Sequence, residues 1–394
     1  MRTGPPHIRY SLSRAGGDRY LARGRDAVGR FAEMKQLDRF AVFDTRTKLM
    51  LAIAALAAIL SGVLNASGAG GVLLFIVAGV ALALLAALVG TATEQLGAHM
   101  GAGATGVLQS ALGNLPELFV GVFALRAGLI GVVQAALVGS ILGNSLLVLG
   151  LAFVVGGARH GTQRFGSGAP RTMAMLTVLA VAALVVPTLA KDLHTPAGPH
   201  VEGLSVACAL ILLAVFVASI PVSLSGGPVA VPTESAEEHG SVWPLGLAIA
   251  VLVMAGVGSA FVSDWFVSAL APAMATLHLS QAFTGLVIVA LAGNAVENVV
   301  GIQLAAKNKM DYAISVILNS SLQVALGLIP ALVLLSFVIG GAHLTLVLPG
   351  LLIAALGLSA ILGAIIIYDG ESTWLEGAAL IGLYGIIAAS FWWG

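Results

Sequence analysis

Two short stretches set a carboxylate inside long apolar runs: GNLPEL, Gly113 to Leu118, and GNAVEN, Gly293 to Asn298. In each, an asparagine precedes a glutamate by three residues, Asn114 with Glu117 and Asn294 with Glu297, so a helix turns amide and carboxylate to one side. Glycines stand four residues to either side of each glutamate, Gly113 and Gly121, then Gly293 and Gly301. Such a stripe lets a partner backbone approach. Further along, Ser140 and Asn144, then Ser320 and Gln323, add hydroxyls and amides at helical spacing. These residues and Gln134 serve either as oxygen ligands or as hydrogen bonds between helices. Pro116 is expected to break the first helix locally and free a backbone carbonyl.

Two carboxylates among neutral oxygens, with no Cys or His on these helices, suit a hard cation, and calcium fits first. A carboxylate near the bilayer centre is expensive when unpaired, and one divalent ion neutralises two of them. When the ion leaves, protonation is the available relief, because burial favours a neutral carboxyl. A site that holds either a cation or protons is the minimum machinery for antiport.

The elements that must carry these residues follow from composition. Of 394 residues, 59% are apolar and 9% charged, which with recurrent apolar windows of about twenty residues predicts an all-α integral membrane protein. Alternating ten-residue segments, the mark of a membrane barrel, are absent from the sequence. The single cysteine, Cys208, excludes an internal disulfide or a thiolate metal cluster. The runs predict about 11 transmembrane helices: a basic cytoplasmic tail over residues 1–48, an extra helix over 49–65, a first five-helix repeat over 71–223, an acidic cytoplasmic linker over 224–242, and a second five-helix repeat over 243–394.

Eleven of the 18 Lys and Arg residues precede the first span, which predicts a cytoplasmic N-terminus. Alternate crossings then place Arg159, Arg164, Arg171, Lys307 and Lys309 inside, Arg126 and Lys191 outside, and the C-terminus outside. Aligning Gly113–Arg126 on Gly293–Ala306 gives five identities in fourteen positions, and the same offset pairs Ser140 with Ser320. The copies cross in opposite directions. Inverted repeats are the common plan of secondary transporters, with the substrate site near the midplane where the copies meet. A different class, an intramembrane hydrolase using the paired carboxylates, lacks HExxH, GxSxG or an Asp pair. His99, His194, His200, His239 and His343 read as loop or span-end residues, and Glu234, Glu237 and Glu238 as a solvated loop. The basic tail reads as a topology determinant and lipid contact rather than a nucleic-acid patch.

GNLPELFVGVFALRAGLIGVVQAALVGSILGNSLLVLGLAF, from Gly113, and GLVIVALAGNAVENVVGIQLAAKNKMDYAISVILNSSLQVALGLIP, from Gly285, together closely resemble the two signature repeats of the calcium/proton exchangers of the calcium/cation antiporter superfamily. The segments DGESTWLEG, from Asp369, and ATEQLG, from Ala92, extend the resemblance to about residues 45–394. It implies an antiporter that moves calcium out of the cytosol in exchange for protons by alternating access, with no bound cofactor. It also implies Glu117 and Glu297 as the central carboxylates, supported by Asn114, Asn294, Ser140, Ser320 and Gln323, with Glu94, Asp264 and Gln134 on the proton or cation path. Asn298 stands where the second motif often has His, and the Thr- or Ser-rich motifs of sodium-coupled relatives are missing beside both glutamates. A sodium-coupled or broad divalent exchanger, manganese included, is the alternative within the class. Arg-rich, Ala/Gly-rich composition points to a bacterial cytoplasmic membrane, and membrane lipid is the expected partner.

Overall fold

The computed structural model describes residues 42–68, 71–100, 108–109, 111–166, 168–224 and 242–393. The linker glutamates, His239 and most of the basic tail lie outside the described residues, as do the side chains of Val296 and Glu297. The chain divides into two compact units, Met1–Lys48 and Leu49–Gly394. In the first, the Asp44 carboxylate accepts the Thr47 N–H at 3.0 Å, and the Thr47 hydroxyl and N–H hold Asp44 below the usual carboxylate value.

Apolar runs fold to helix because a spanning segment must satisfy its own backbone groups. The helices of the first half are α1 (Thr45–Ala66), α2 (Val72–Gly97), α3 (Leu115–Arg126), α4 (Ile130–His160), α5 (Gly168–Asp192) and α6 (Val201–Leu224). The second half holds α7 (Leu245–Leu277), α8 (Gln281–Gly293), α9 (Ala295–Ala306), α10 (Met310–Ser336), α11 (Gly350–Tyr368) and α12 (Trp374–Ser390). Among the described residues eight helices are long and apolar enough to cross a membrane, or nine if α8 and α9, bent by 63°, count as one span. Helix α3, with 12 residues, and α12, with 17, fall short of that length, so all eleven expected runs carry helix while the count by length stops at nine.

The repeat is sharper in the backbone than in the sequence. Asn114 (φ −92°, ψ 18°) and Asn294 (φ −91°, ψ 19°) leave helical geometry identically, and each starts a helix of 12 residues. Both helices end in left-handed residues, Gly128 at φ 74° and Asn308 at φ 61°, the two residue types that tolerate this conformation best. Leu129 N–H then bonds Ala124 O, and Lys309 N–H bonds Leu304 O, at 2.9 Å in both copies. The next helix of each copy loosens into a π turn, Gly143–Val148 in α4 and Val324–Leu328 in α10. The expected break at Pro116 is corrected here. The break falls at asparagine in both copies, including the copy without proline, and Pro116 sits in the first turn of α3, where a missing N–H costs no helical bond.

Hydrogen bonds between loops sort the helix ends onto two faces. On one, β1 (Gln163–Arg164) pairs antiparallel with β2 (Glu371–Ser372), Arg164 meets Glu371 at 3.0 Å, His160 bonds Ala306 O, and the Arg171 guanidinium donates to Tyr368 O. That face therefore gathers Arg159, Arg164, Arg171, Lys307 and Lys309. On the opposite face, His343 lies 3.7 Å from Glu202, and Ser280 donates to Phe391 O at 2.5 Å.

At that second face an extended segment runs between α10 and α11, burying Leu344, Leu346 and Leu348 in alternation. Its backbone is satisfied by side chains: Thr188 bonds Leu346 O and Leu348 N, Ser205 bonds Leu346 N, and Gln134 Nε2 donates to Thr345 O at 3.1 Å and Val347 O at 3.0 Å. Gln134→Leu removes two donors and strands both carbonyls. A lower melting temperature, equivalent to about 1–3 kcal/mol, is the expected outcome in a thermal-shift measurement on the purified protein.

Candidate functional site where the two repeats cross

Backbone contact between α4 and α8 builds the site. A Cβ at Gly139 would stand 2.6 Å from Leu286 Cα, and one at Gly285 would stand 2.8 Å from Ala135 Cβ, so only glycine permits this crossing. It brings the end of α8 beside Ser140. Gly293 fits in the same way against Glu117, whose Cγ and Oε1 would be 2.7 Å and 3.0 Å from an added Cβ. The carboxylate of one repeat thus packs on the backbone of the other, next to Asn294. Gly121 and Gly301 admit Leu332 and Ile317 closely, whereas the nearest atoms to a Cβ at Gly113 belong to Gln109, one turn back.

Amides and hydroxyls from both repeats interlock there. Asn294 Nδ2 donates to Ser140 Oγ and Ala290 O, both at 2.9 Å. Asn144 Nδ2 donates to Ser320 Oγ at 2.9 Å and to Asn294 Oδ1 at 3.4 Å, and Ser320 Oγ donates to Asn294 Oδ1 at 3.4 Å. Asn114 Nδ2 donates to Gln323 Oε1 at 3.3 Å. All six are buried, which in a membrane protein demands this mutual satisfaction. The two halves differ in one respect. At the start of the π turns the first repeat supplies its amide from Asn144, and the second supplies it one position earlier, from Gln323.

Glu117 and Ser140 line a cavity of about 30 Å³, room for about two water molecules, whose other walls include Leu82, Val120, Val133, Leu137, Phe266 and Leu332. Glu117 lies in the first turn of α3, and Glu297 is the third residue of α9. Both residues therefore belong to the first turn of a discontinuous helix, where the positive end of the helix dipole favours negative charge. The arrangement offers hard oxygen donors and a small cavity with mostly apolar walls. That combination can hold a desolvated cation or a protonated carboxyl.

The structure thus gathers Glu117, Asn114, Asn294, Ser140, Ser320 and Gln323, together with Asn144, which bonds both Ser320 and Asn294 of the other repeat. Glu94 and Asp264 are not brought to this cluster. Both are exposed, Asp264 on the face of α7 that also shows Val257 and Phe261. Gln134 spends its amide protons on the extended segment. Asn144 was visible in the sequence by its i+4 spacing from Ser140, but nothing in composition ranks it above its neighbours. Among the described residues no group of three or more His, Cys, Asp or Glu side chains gathers as a metal cluster.

Comparison with known proteins gives consistent matches. The family model for sodium/calcium exchanger protein matches residues 70–224 and 247–393. A Ca(2+)/H(+) antiporter of Synechocystis sp. is 36% identical over 82% of this chain and 92% of its own. The Ca(2+)/H(+) antiporter ChaA of Bacillus subtilis is 36% identical over 81% of this chain and 91% of its own. Among solved structures, native YfkE superimposes with a TM-score of 0.74 at 31% identity, covering 87% of this chain and 99% of its own. An H+/Ca2+ exchanger, CAX, at 17% identity and a TM-score of 0.67, shares the fold over 88% of this chain and 92% of its own.

Proposed function

The chain belongs to the sodium/calcium exchanger protein family, and from that premise we propose that one buried site, shared by two inverted repeats, alternately holds calcium and protons. The chain is a calcium/proton antiporter, a transporter rather than an enzyme, as its relatives at 36% identity over most of its length are. Glu117 packed on Gly293 carries the reading, because it sets the carboxylate of one repeat at the polar core of the other.

In this reading Glu117 and Glu297 hold the cation, with Asn114, Asn294, Ser140, Ser320 and Gln323 supplying or orienting neutral oxygens. Calcium entry neutralises both carboxylates, and its departure leaves two like charges in a low-dielectric region, which protons then relieve. Asn144 holds the two repeats in register during the exchange. The domain plan follows as one N-terminal helix and two five-helix repeats, and the paired 70–224 and 247–393 matches support it. Five of seven basic residues beyond the tail on one face support a cytoplasmic assignment for that face, which sets the N-terminus inside and the C-terminus outside. A bacterial cytoplasmic membrane fits both relatives named above.

Sealed vesicles containing the purified chain test the coupling ion. Calcium uptake should follow an imposed proton gradient and ignore a sodium gradient; uptake that tracks sodium alone would replace this reading with the sodium-coupled one.

A further inference from the structure

Buried hydroxyls in these helices ordinarily bond a carbonyl one turn back, as Ser61 does to Ala57 O at 2.8 Å, Thr177 to Met173 O at 2.9 Å and Thr284 to Ser280 O at 2.8 Å. Ser259 and Ser263 on α7 break the pattern. Both are 0% exposed, and neither hydroxyl has a hydrogen-bond partner. Thr93 on α2, also 0% exposed, is a third such hydroxyl. A buried hydroxyl without a protein partner is under-satisfied, and in native proteins water commonly fills that role.

The two serines point to one place. On α7, Ser259 and Ser263 precede Phe266 by seven and three residues, so the three share a helix face, and Phe266 walls the Glu117 cavity. On α2, Thr93 follows Leu82, another wall of that cavity, by eleven residues, and the intervening Ala86 and Val89 are buried along the same stripe. Helix α7 packs along both α2 and α3. A Cβ on Gly256 would stand 4.0 Å from Leu115 Cδ1, and one on Gly258 would stand 3.3 Å from Leu85 Cδ2. With α3 and α7 running the same way from that contact, Ser259 stands at about the level of Glu117, and Ser263 lies about 6 Å further along.

We infer that Ser259 and Ser263 hold a buried hydration site, one or two water molecules seated on the α7 face that closes the Glu117 cavity. Each hydroxyl can donate one hydrogen bond and accept two, so a water between them gains partners that the apolar walls cannot offer. The site gives the cavity a wet flank on its α7 side. That consequence for ion access rests on the antiport reading; the hydration site itself does not.

The test uses full-length chain with Cys208→Ala and one cysteine added at a time, oxidised by hydrogen peroxide, a probe close to water in size that converts a thiolate to a sulfenic acid only where water reaches it. Ser259→Cys and Ser263→Cys should react at least about 10-fold faster than Val262→Cys, which is equally buried on the same helix but replaces an apolar side chain rather than an unpartnered hydroxyl. Equal rates at all three positions overturn the inference. Because a cysteine variant could misfold, an experimental map of the wild-type chain with ordered water visible provides the second readout. Water density bonded to both hydroxyls is expected, and a dry pair overturns the site. Neither readout requires transport, so failure of the antiport reading would be seen separately in the vesicle assay.

Discussion

Glu117→Gln is expected to reduce proton-driven calcium uptake by about 100-fold or more while the protein stays folded. Glutamine keeps the volume and one oxygen, so packing against Gly293 survives. What disappears is the charge. Ligand or hydrogen-bond contacts to a charged group contribute about 1.5–3 kcal/mol more than nothing, which alone accounts for roughly 10- to 150-fold in binding. The loss should be larger in transport, because a group that cannot change charge no longer exchanges a proton for the cation. Uptake into sealed vesicles, normalised to inserted protein, measures this. Glu117→Asp, which keeps the charge but shortens the reach by one methylene, should fall between the two; a glutamine variant within about three-fold of wild type would remove Glu117 from the site.

Gly139→Val is expected to be the most damaging substitution for the fold itself. The added Cβ would meet the backbone of Leu286, which cannot rotate aside as a side-chain tip could. Overpacking commonly destabilises by about 1–3 kcal/mol, and a backbone collision belongs at or beyond the upper end. Loss of the monodisperse peak in size-exclusion chromatography, or a melting temperature lowered by many degrees, is the expected result. Gly357→Ala on α11 is the control, because its Cβ would meet nothing within 4 Å. There, replacing glycine inside a helix should stabilise by about 0.5–1 kcal/mol. Similar behaviour of both variants would mean that the α4–α8 crossing is looser than its glycines imply.

Much of this site could be read from residue types because polar side chains stand out in apolar runs. Glu117, Asn114 and Asn294 stand out by contrast alone, and the shared offset of Ser140 and Ser320 joins the two copies. Counting alternate crossings grouped the loops as the loop-to-loop hydrogen bonds do, His160 to Ala306 O among them. Hydropathy is blind, however, to how a helix hydrogen-bonds internally, so the π turns at Gly143–Val148 and Val324–Leu328 left no trace in it. The break at Asn114 was hidden behind the more conspicuous Pro116. Which way a lone polar residue faces depends on neighbours that the sequence does not identify. Gln134 turned out to clasp an extended segment that reads as ordinary loop.

The central claim is that calcium and protons compete for one buried site, and the direct test is to record both fluxes together. In proteoliposomes loaded with a pH-sensitive dye and supplied with external calcium, each calcium pulse should drive protons out, with no proton exit when calcium is withheld. Glu117→Gln should silence both signals together. Calcium entry at the wild-type rate without accompanying proton movement would contradict the account.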